Sequence, residues 1–234
     1  MGEAMAGKLF NNVYSQRRMI APAFSLPILH GYLGVFNTEA RELVQILYTR
    51  TDTTLSILPY IKDVIFKIIS IELSENNMLT YYKEIKEEVD TFIVAGYDTC
   101  SLVLTNTLMC LGTYPEAQER VHEDIQTVFG DTDRDVEKED LSQLLYSEAV
   151  IKETLRLYPP GDFLLRYCDK EVQLSNYRMP ANIHLIVNTY GMNQDPVWGP
   201  DAVHFRPDRW LVLKPEQSNA FGSFSIGKRI CPGE

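Results

Sequence analysis

The sequence predicts a mainly α protein with small β-sheets, and three observations carry that prediction. Residues 14 to about 160 repeat apolar side chains at helical spacing. The last third instead carries Pro, Gly and short β-branched runs that suit strands and loops. A length of 234 residues, with 45% hydrophobic and 23% charged content, is enough to bury one sizeable core. No internal repeat, low-complexity tract or Gly/Ser linker interrupts the chain, so a single domain over 1–234 is the simplest organisation.

The N-terminal MGEAMAGKLFNN lacks the apolar core of a signal peptide and is too short and polar to span a membrane, so no anchor is expected in it. Leu55 to Leu73 is the most apolar run, but Pro59, Lys62, Asp63 and Lys67 break it. It therefore reads as an amphipathic, buried helix. From about Lys86 the chain enters a run whose middle is apolar on nearly every face, as expected of a helix threaded through the core, until Tyr114-Pro115 ends it. A second helix opens at Pro115 and stops at Gly130, after Phe129, matching the preference for Pro at helix starts and Gly just past helix ends. The run DLSQLLYSEAVIKETLRL predicts a third, with Leu141, Leu144, Ile151 and Leu155 on one face and Glu153 and Arg156 off it. It terminates before Pro159-Pro160. Beyond it, VQLSNYRMP and NIHLIVNTY read as short strands joined by a polar turn.

The formal charge of -10 argues against a nucleic-acid partner, which would need clustered Lys and Arg. Cys100, Cys110, Cys168 and Cys231 lie far apart with no CxxC pair, which fits neither a disulfide framework nor a structural zinc site and favours a reducing compartment.

Cys231 stands between glycines, after an aromatic and two basic residues, in Phe224-Ser-Ile-Gly227-Lys-Arg229-Ile-Cys231-Pro-Gly233. A lone Cys near glycines is more often a buried, inert thiol. Backbone N–H groups and positive charge could nevertheless stabilise a thiolate here, and glycines would let the backbone approach a flat macrocycle. The whole pattern resembles the haem-binding loop of cytochrome P450, Phe-x-x-Gly-x-Arg-x-Cys-x-Gly, at every fixed position. That resemblance implies that Cys231 is the proximal iron ligand and that Phe224 packs near its sulfur. It also implies that Arg229 pairs with a haem propionate and that Gly227 and Gly233 permit the tight loop.

Glu153-Thr-Leu-Arg156 is by itself a commonplace acid-base pair on a helix face. Followed by Phe205-Arg-Pro207-Asp-Arg209-Trp210, it resembles the family's Glu-x-x-Arg element and the segment whose Arg completes a structural triad, implying one network of Glu153, Arg156 and Arg209. Ala95-Gly96-Tyr97-Asp98-Thr99-Cys100 could be a mere packing notch, yet Gly, Asp and Thr are poor helix formers to cluster in a core helix. The segment resembles the family's oxygen-binding signature, except that Cys100 stands where Thr or Ser is usual. By that resemblance Thr99 opens the helix beside dioxygen, Asp98 relays protons, and Ala95 and Gly96 lie against the haem. Arg166, after Tyr158-Pro159-Pro160, is either a surface cation or, as the resemblance implies, a propionate partner. Arg17, in Arg17-Arg18-Met-Ile-Ala-Pro-Ala-Phe24, is similar to a family helix that brings Arg to a propionate, with Val13 where Trp is usual.

Glu87-Glu88-Val-Asp-Thr-Phe92 and Asn193-Gln-Asp195-Pro-Val-Trp198 look most like the eukaryotic family 4 branch, often associated with fatty-acid hydroxylation. Many members carry a Glu at the position of Ala95 that can esterify the haem, so covalent attachment there is not expected. The resemblance thus implies a partial cytochrome P450 fold, truncated at both ends and shortened between Ile69 and Lys86. It implies haem, electrons from NADPH through a cytochrome P450 reductase, a lipophilic small-molecule substrate, and the cytoplasmic face of the endoplasmic reticulum membrane. Two classes of function follow, a haem-thiolate monooxygenase or a catalytically inactive fragment or splice product of one.

Overall fold

Helix dominates the computed structural model, which describes residues 26–51, 54–75, 82–227, 230, 231 and 233, and their side chains except those of 26, 72–75 and 82–92. The chain divides into two compact units, Met1–Thr105 with Gln126–Leu144 and Gly233, and Asn106–Ile125 with Leu145–Pro232 and Glu234.

In the first unit, α1 (Leu26–Gly31), α2 (Leu33–Tyr48) and α3 (Leu58–Glu75) lead into α4 (Tyr82–Thr113), whose last residues belong to the second unit. Pro59 sits in the first turn of α3, where its missing N–H costs nothing, and α3 buries Ile61 and Val64 while Phe66 stays 47% exposed. Lys67 of α3 draws Glu39 and Glu42 of α2 together with its own Asp63. The Asn37 amide donates to Val136 O and accepts from Val136 N, so it pairs with that loop as a strand neighbour would. Arg41 clasps Asp133 and Asp135 of the same loop.

The helix α5 (Pro115–Phe129) has the bounds its Pro and Gly signals indicate, with Gly130 at φ +59° closing its end. The expected single helix from Asp140 is instead two, α6 (Lys138–Leu141) and α7 (Leu145–Leu157). The Asp140 carboxylate accepts from Glu137 N at 2.8 Å and from Arg134 Nη1 and Nη2 at 2.6 and 2.7 Å, which makes Asp140 part of a capping box. A fresh helix start then forms where Ser147 N and Oγ donate to Asp124 of α5.

In the second unit, β1 (Phe163–Cys168) pairs antiparallel with β4 (Ile183–Asn188), from Phe163 opposite Asn188 to Cys168 opposite Ile183. The stretch expected as one strand, 172–180, is a small hairpin of β2 (Val172–Gln173) and β3 (Arg178–Met179). Asn182, at φ +62°, turns the chain from it into β4 and donates its N–H to Cys168 O, a left-handed position that Asn tolerates. There follow α8 (Thr189–Met192), the 3-10 turns Pro196–Trp198 and Pro207–Val212, and α9 (Pro215–Ala220). The core of this unit gathers Cys110, Ala117, Tyr146, Val150, Leu157 and Phe205.

Two sequence expectations about faces are corrected. On α7 the buried residues are Tyr146, Ala149, Val150 and Glu153 through Leu157, whereas Leu141 and Ile151 are exposed. The acid and base thought to lie off the core stripe are its most buried members, because their charges are partnered inside. The second correction is α4, whose apolar surface is not buried all round. Val94, Leu104, Leu108 and Met109 are exposed, and Ser101, Thr107 and Cys110 are its buried residues among those described. Hydropathy read along the sequence does not say which face finds a neighbour.

Candidate functional site

Glu153 projects from α7 into a dry interior at 0% exposure. Arg156, one turn on, grips it bidentately, Nε to Oε2 at 2.9 Å and Nη2 to Oε1 at 2.8 Å. Arg209 Nε, from the Pro207–Val212 turn, donates to Oε1 at 2.9 Å, and the backbone N–H of Arg206 donates to the same oxygen at 2.9 Å. Trp210 Nε1 donates to Oε2 at 2.9 Å. Two guanidiniums around one carboxylate leave a surplus positive charge, which backbone carbonyls solvate in place of water. Arg156 reaches Asn193 O, Ala202 O and His204 O, and Arg209 reaches Trp198 O, Asp201 O and His204 O. The structure thus brings Glu153, Arg156 and Arg209 into one buried network, and adds Trp210, to which the sequence reading gave no role.

The cysteine loop lies in the same unit, beyond α9. An aromatic run leads to it, with Trp198 against Trp210 at 5.4 Å, Trp210 against Phe221 at 4.9 Å, and Phe221 against Phe224 at 6.2 Å between ring centroids. Phe224 itself is half-buried. Its carbonyl accepts from Cys231 N at 2.8 Å, which closes the loop, while Ile230 N donates to Gly227 O at 3.0 Å. Gly227 lies at φ +78° with open space where a Cβ would stand, so its role is conformational. Arg166 of β1 donates from Nη2 to Ser225 Oγ at 2.7 Å and so reaches the loop rather than standing free on the surface. Gly233 is an exposed turn residue grouped with the first unit. Arg229 and Arg17 lie outside the described residues.

The four cysteines separate by environment. Cys110 and Cys168 are buried, burial pushes the Cys110 thiol up, and Cys168 Sγ is hydrogen-bonded to Lys170 O. Cys231 is exposed and in no disulfide, so it is not the buried, inert thiol that a lone cysteine usually is. An accessible soft sulfur in a loop closed by its own amide, with a guanidinium bonded to the same loop, fits a haem whose iron takes a thiolate and whose propionates take cations.

Ala95, Gly96, Asp98 and Thr99 are in the first unit, on an unbroken stretch of α4. Thr99 Oγ1 donates to Ala95 O at 2.7 Å, the i−4 back-bond that weakens a helix locally. A Cβ on Gly96 would come within 3.0 Å of Ile69 Cδ1, so the glycine lets α3 approach α4. Asp98 forms an ion pair with Lys62 of α3 at 2.6 Å, and this bond raises the Lys62 pKa above its ordinary value. Lys62 was singled out in the sequence as a break in an apolar run, and its one-turn offsets from Pro59 and Phe66 gave no hint of a partner on α4.

The family model described as cytochrome P450 matches residues 71–234. Cytochrome P450 4V2 of Mus musculus is 36% identical over 172 residues, 71% of this chain and 32% of that protein. The Homo sapiens protein of the same name is 35% identical over 169 residues, again 71% of this chain and 32% of the relative. A probable cytochrome P450 4d20 of Drosophila melanogaster is 36% identical over 169 residues, covering 71% of this chain and 33% of the relative. The chain spans about a third of the length of these curated relatives. Arg17 falls before the matched region.

Proposed function

Because the chain belongs to the cytochrome P450 family and is most like its family 4 members, we propose that it forms the haem-binding portion, one incomplete domain, of a haem-thiolate monooxygenase. The observation that carries this is the exposed Cys231, held in an amide-closed loop in the same unit as the buried Glu153 network. Haem bound there would supply the activation of O2 and the insertion of one oxygen atom into a lipophilic substrate such as a fatty acid, with electrons from NADPH through a reductase. Cys231 would hold the iron as its thiolate ligand, with Phe224 packed near the sulfur. Arg166 and Arg229, with Arg17, would be the cations that hold the propionates. Gly227 and Gly233 give the loop its turn. By the family resemblance, Ala95 and Gly96 of α4 would serve the haem, while Thr99 and Asp98 would hold and pass a proton. The Lys62 pair holds the Asp98 carboxylate in place at 2.6 Å. Glu153, Arg156 and Arg209 hold the scaffold behind the loop. Assignment to the endoplasmic reticulum membrane rests on the family alone, since no described helix is long and apolar enough to cross a membrane.

The test is the absorption spectrum of the reduced carbon-monoxide complex after expression with haem supplied. The thiolate band is expected in the wild type and in Cys100→Ser, and absent in Cys231→Ser. Its survival in Cys231→Ser would overturn the assignment.

A further inference from the structure

We propose that Asn193 is a positioning residue for the cysteine loop, coupling it to the Glu153 network. The proposal rests on the reading of Cys231 as the thiolate ligand. Asn193 ends α8 and is 0% exposed. Its backbone carbonyl accepts from Arg156 Nη1 at 2.6 Å, which fixes it to the buried ion cluster. Its side chain faces the root of the loop, where Oδ1 accepts from Gly222 N at 3.1 Å and Nδ2 donates to Ser223 Oγ at 2.8 Å. The Ser223 hydroxyl in turn donates to Leu155 O at 2.8 Å. That carbonyl is one of the last of α7, which the helix itself leaves without a donor.

A carboxamide is the small neutral group that donates and accepts at once, and each direction is used here. Aspartate could keep the bond from Gly222, but it would carry a buried charge and lose the donor to Ser223. The loop root has little other freedom, because a Cβ on Gly222 would come within 3.3 Å of Met192 Cε. From this clamped pair the chain turns through Ser225, whose N–H donates to Gly222 O at 2.9 Å. Two residues on from Gly222, the carbonyl of Phe224 takes the Cys231 amide. Asn193 therefore sets the origin from which the sulfur's position is built, although it never touches the sulfur.

The experiment compares wild type, Asn193→Ala, Asn193→Asp, Ser223→Ala and Ser223→Thr by amide hydrogen exchange at Gly222 and Cys231 and by the reduced carbon-monoxide spectrum. Asn193→Ala should speed exchange at both amides roughly tenfold, the equivalent of one net buried hydrogen bond, Asn193→Asp should speed it at Cys231, and both should convert part of the thiolate band to a non-thiolate one. Exchange in α7 around Val150 should stay unchanged. Ser223→Ala should act in the same direction more weakly, and Ser223→Thr should restore the wild type. Unchanged exchange at Cys231, or acceleration equal to that in α7, would refute a positioning role. If wild type and Cys231→Ser share one spectrum, the ligation reading fails, while the exchange data still decide the clamp.

Discussion

The helices α7 and α4 invert the ordinary relation between polarity and burial. In α7 the buried face holds Glu153, Thr154 and Arg156 at 0% exposure, each with its hydrogen-bonding capacity engaged. In α4 the exposed face holds Val94 and Leu104, while Ser101 is buried and bonded to Tyr97 O. A charge can enter the interior when the fold supplies every partner, as it does for Glu153 through two arginines, one indole and one backbone amide. An apolar side chain stays outside when no element is built against it.

That contrast is easiest to break at Glu153. Glu153→Ala should cost roughly 3 to 5 kcal/mol, because it strands two buried guanidiniums. Lys62→Ala, which opens the solvent-exposed pair with Asp98, should change stability by less than denaturant titration resolves. Site-resolved hydrogen exchange reads both, and comparable losses would remove the distinction. Strictly additive effects of Glu153→Ala and Arg209→Ala in a double-mutant cycle would likewise show that the cluster does not act as a unit.

A smaller effect separates two valines. Val150→Ala, at 1% exposure, should lose about 2 kcal/mol from removed burial and the cavity left behind, whereas Val94→Ala, at 56% exposure, should be close to neutral in the same melting experiment. Gly227→Ala should cost about 1 kcal/mol through backbone conformation alone, since no atom crowds its Cβ. A larger loss would mean that the loop packs more tightly there than its open surroundings imply.

The mildest test is acid. The Arg134 guanidinium, with the Glu137 amide, holds the Asp140 carboxyl down to about 2, below an unfolded value of about 3.9. A depressed carboxylate contributes stability above its unfolded pKa and loses it as the pH falls through the folded one. The stability gap between wild type and Asp140→Asn should therefore be present above about pH 4 and close as pH approaches 2, followed by exchange of the Glu137 amide. A gap that persists at pH 2 would assign the loss to something other than this ion pair.

What the sequence determined by itself is local or motif-borne. Pro115 and Gly130 bound a helix because one lacks an N–H that the first turn does not need and the other accepts a left-handed φ. The full cysteine-loop pattern identified the family, because its fixed positions serve one cofactor and rarely coincide by chance. Tertiary structure alone decided which face each helix turns inward. It broke the run from Asp140 to Leu157 at a capping carboxylate, and it split 172–180 into a hairpin so that β4 could pair with β1. It also gave Asn193, Ser223 and Trp210 their partners. Those bonds join residues 29 to 68 positions apart, and no periodicity in a single strand of text encodes a contact made across such a distance.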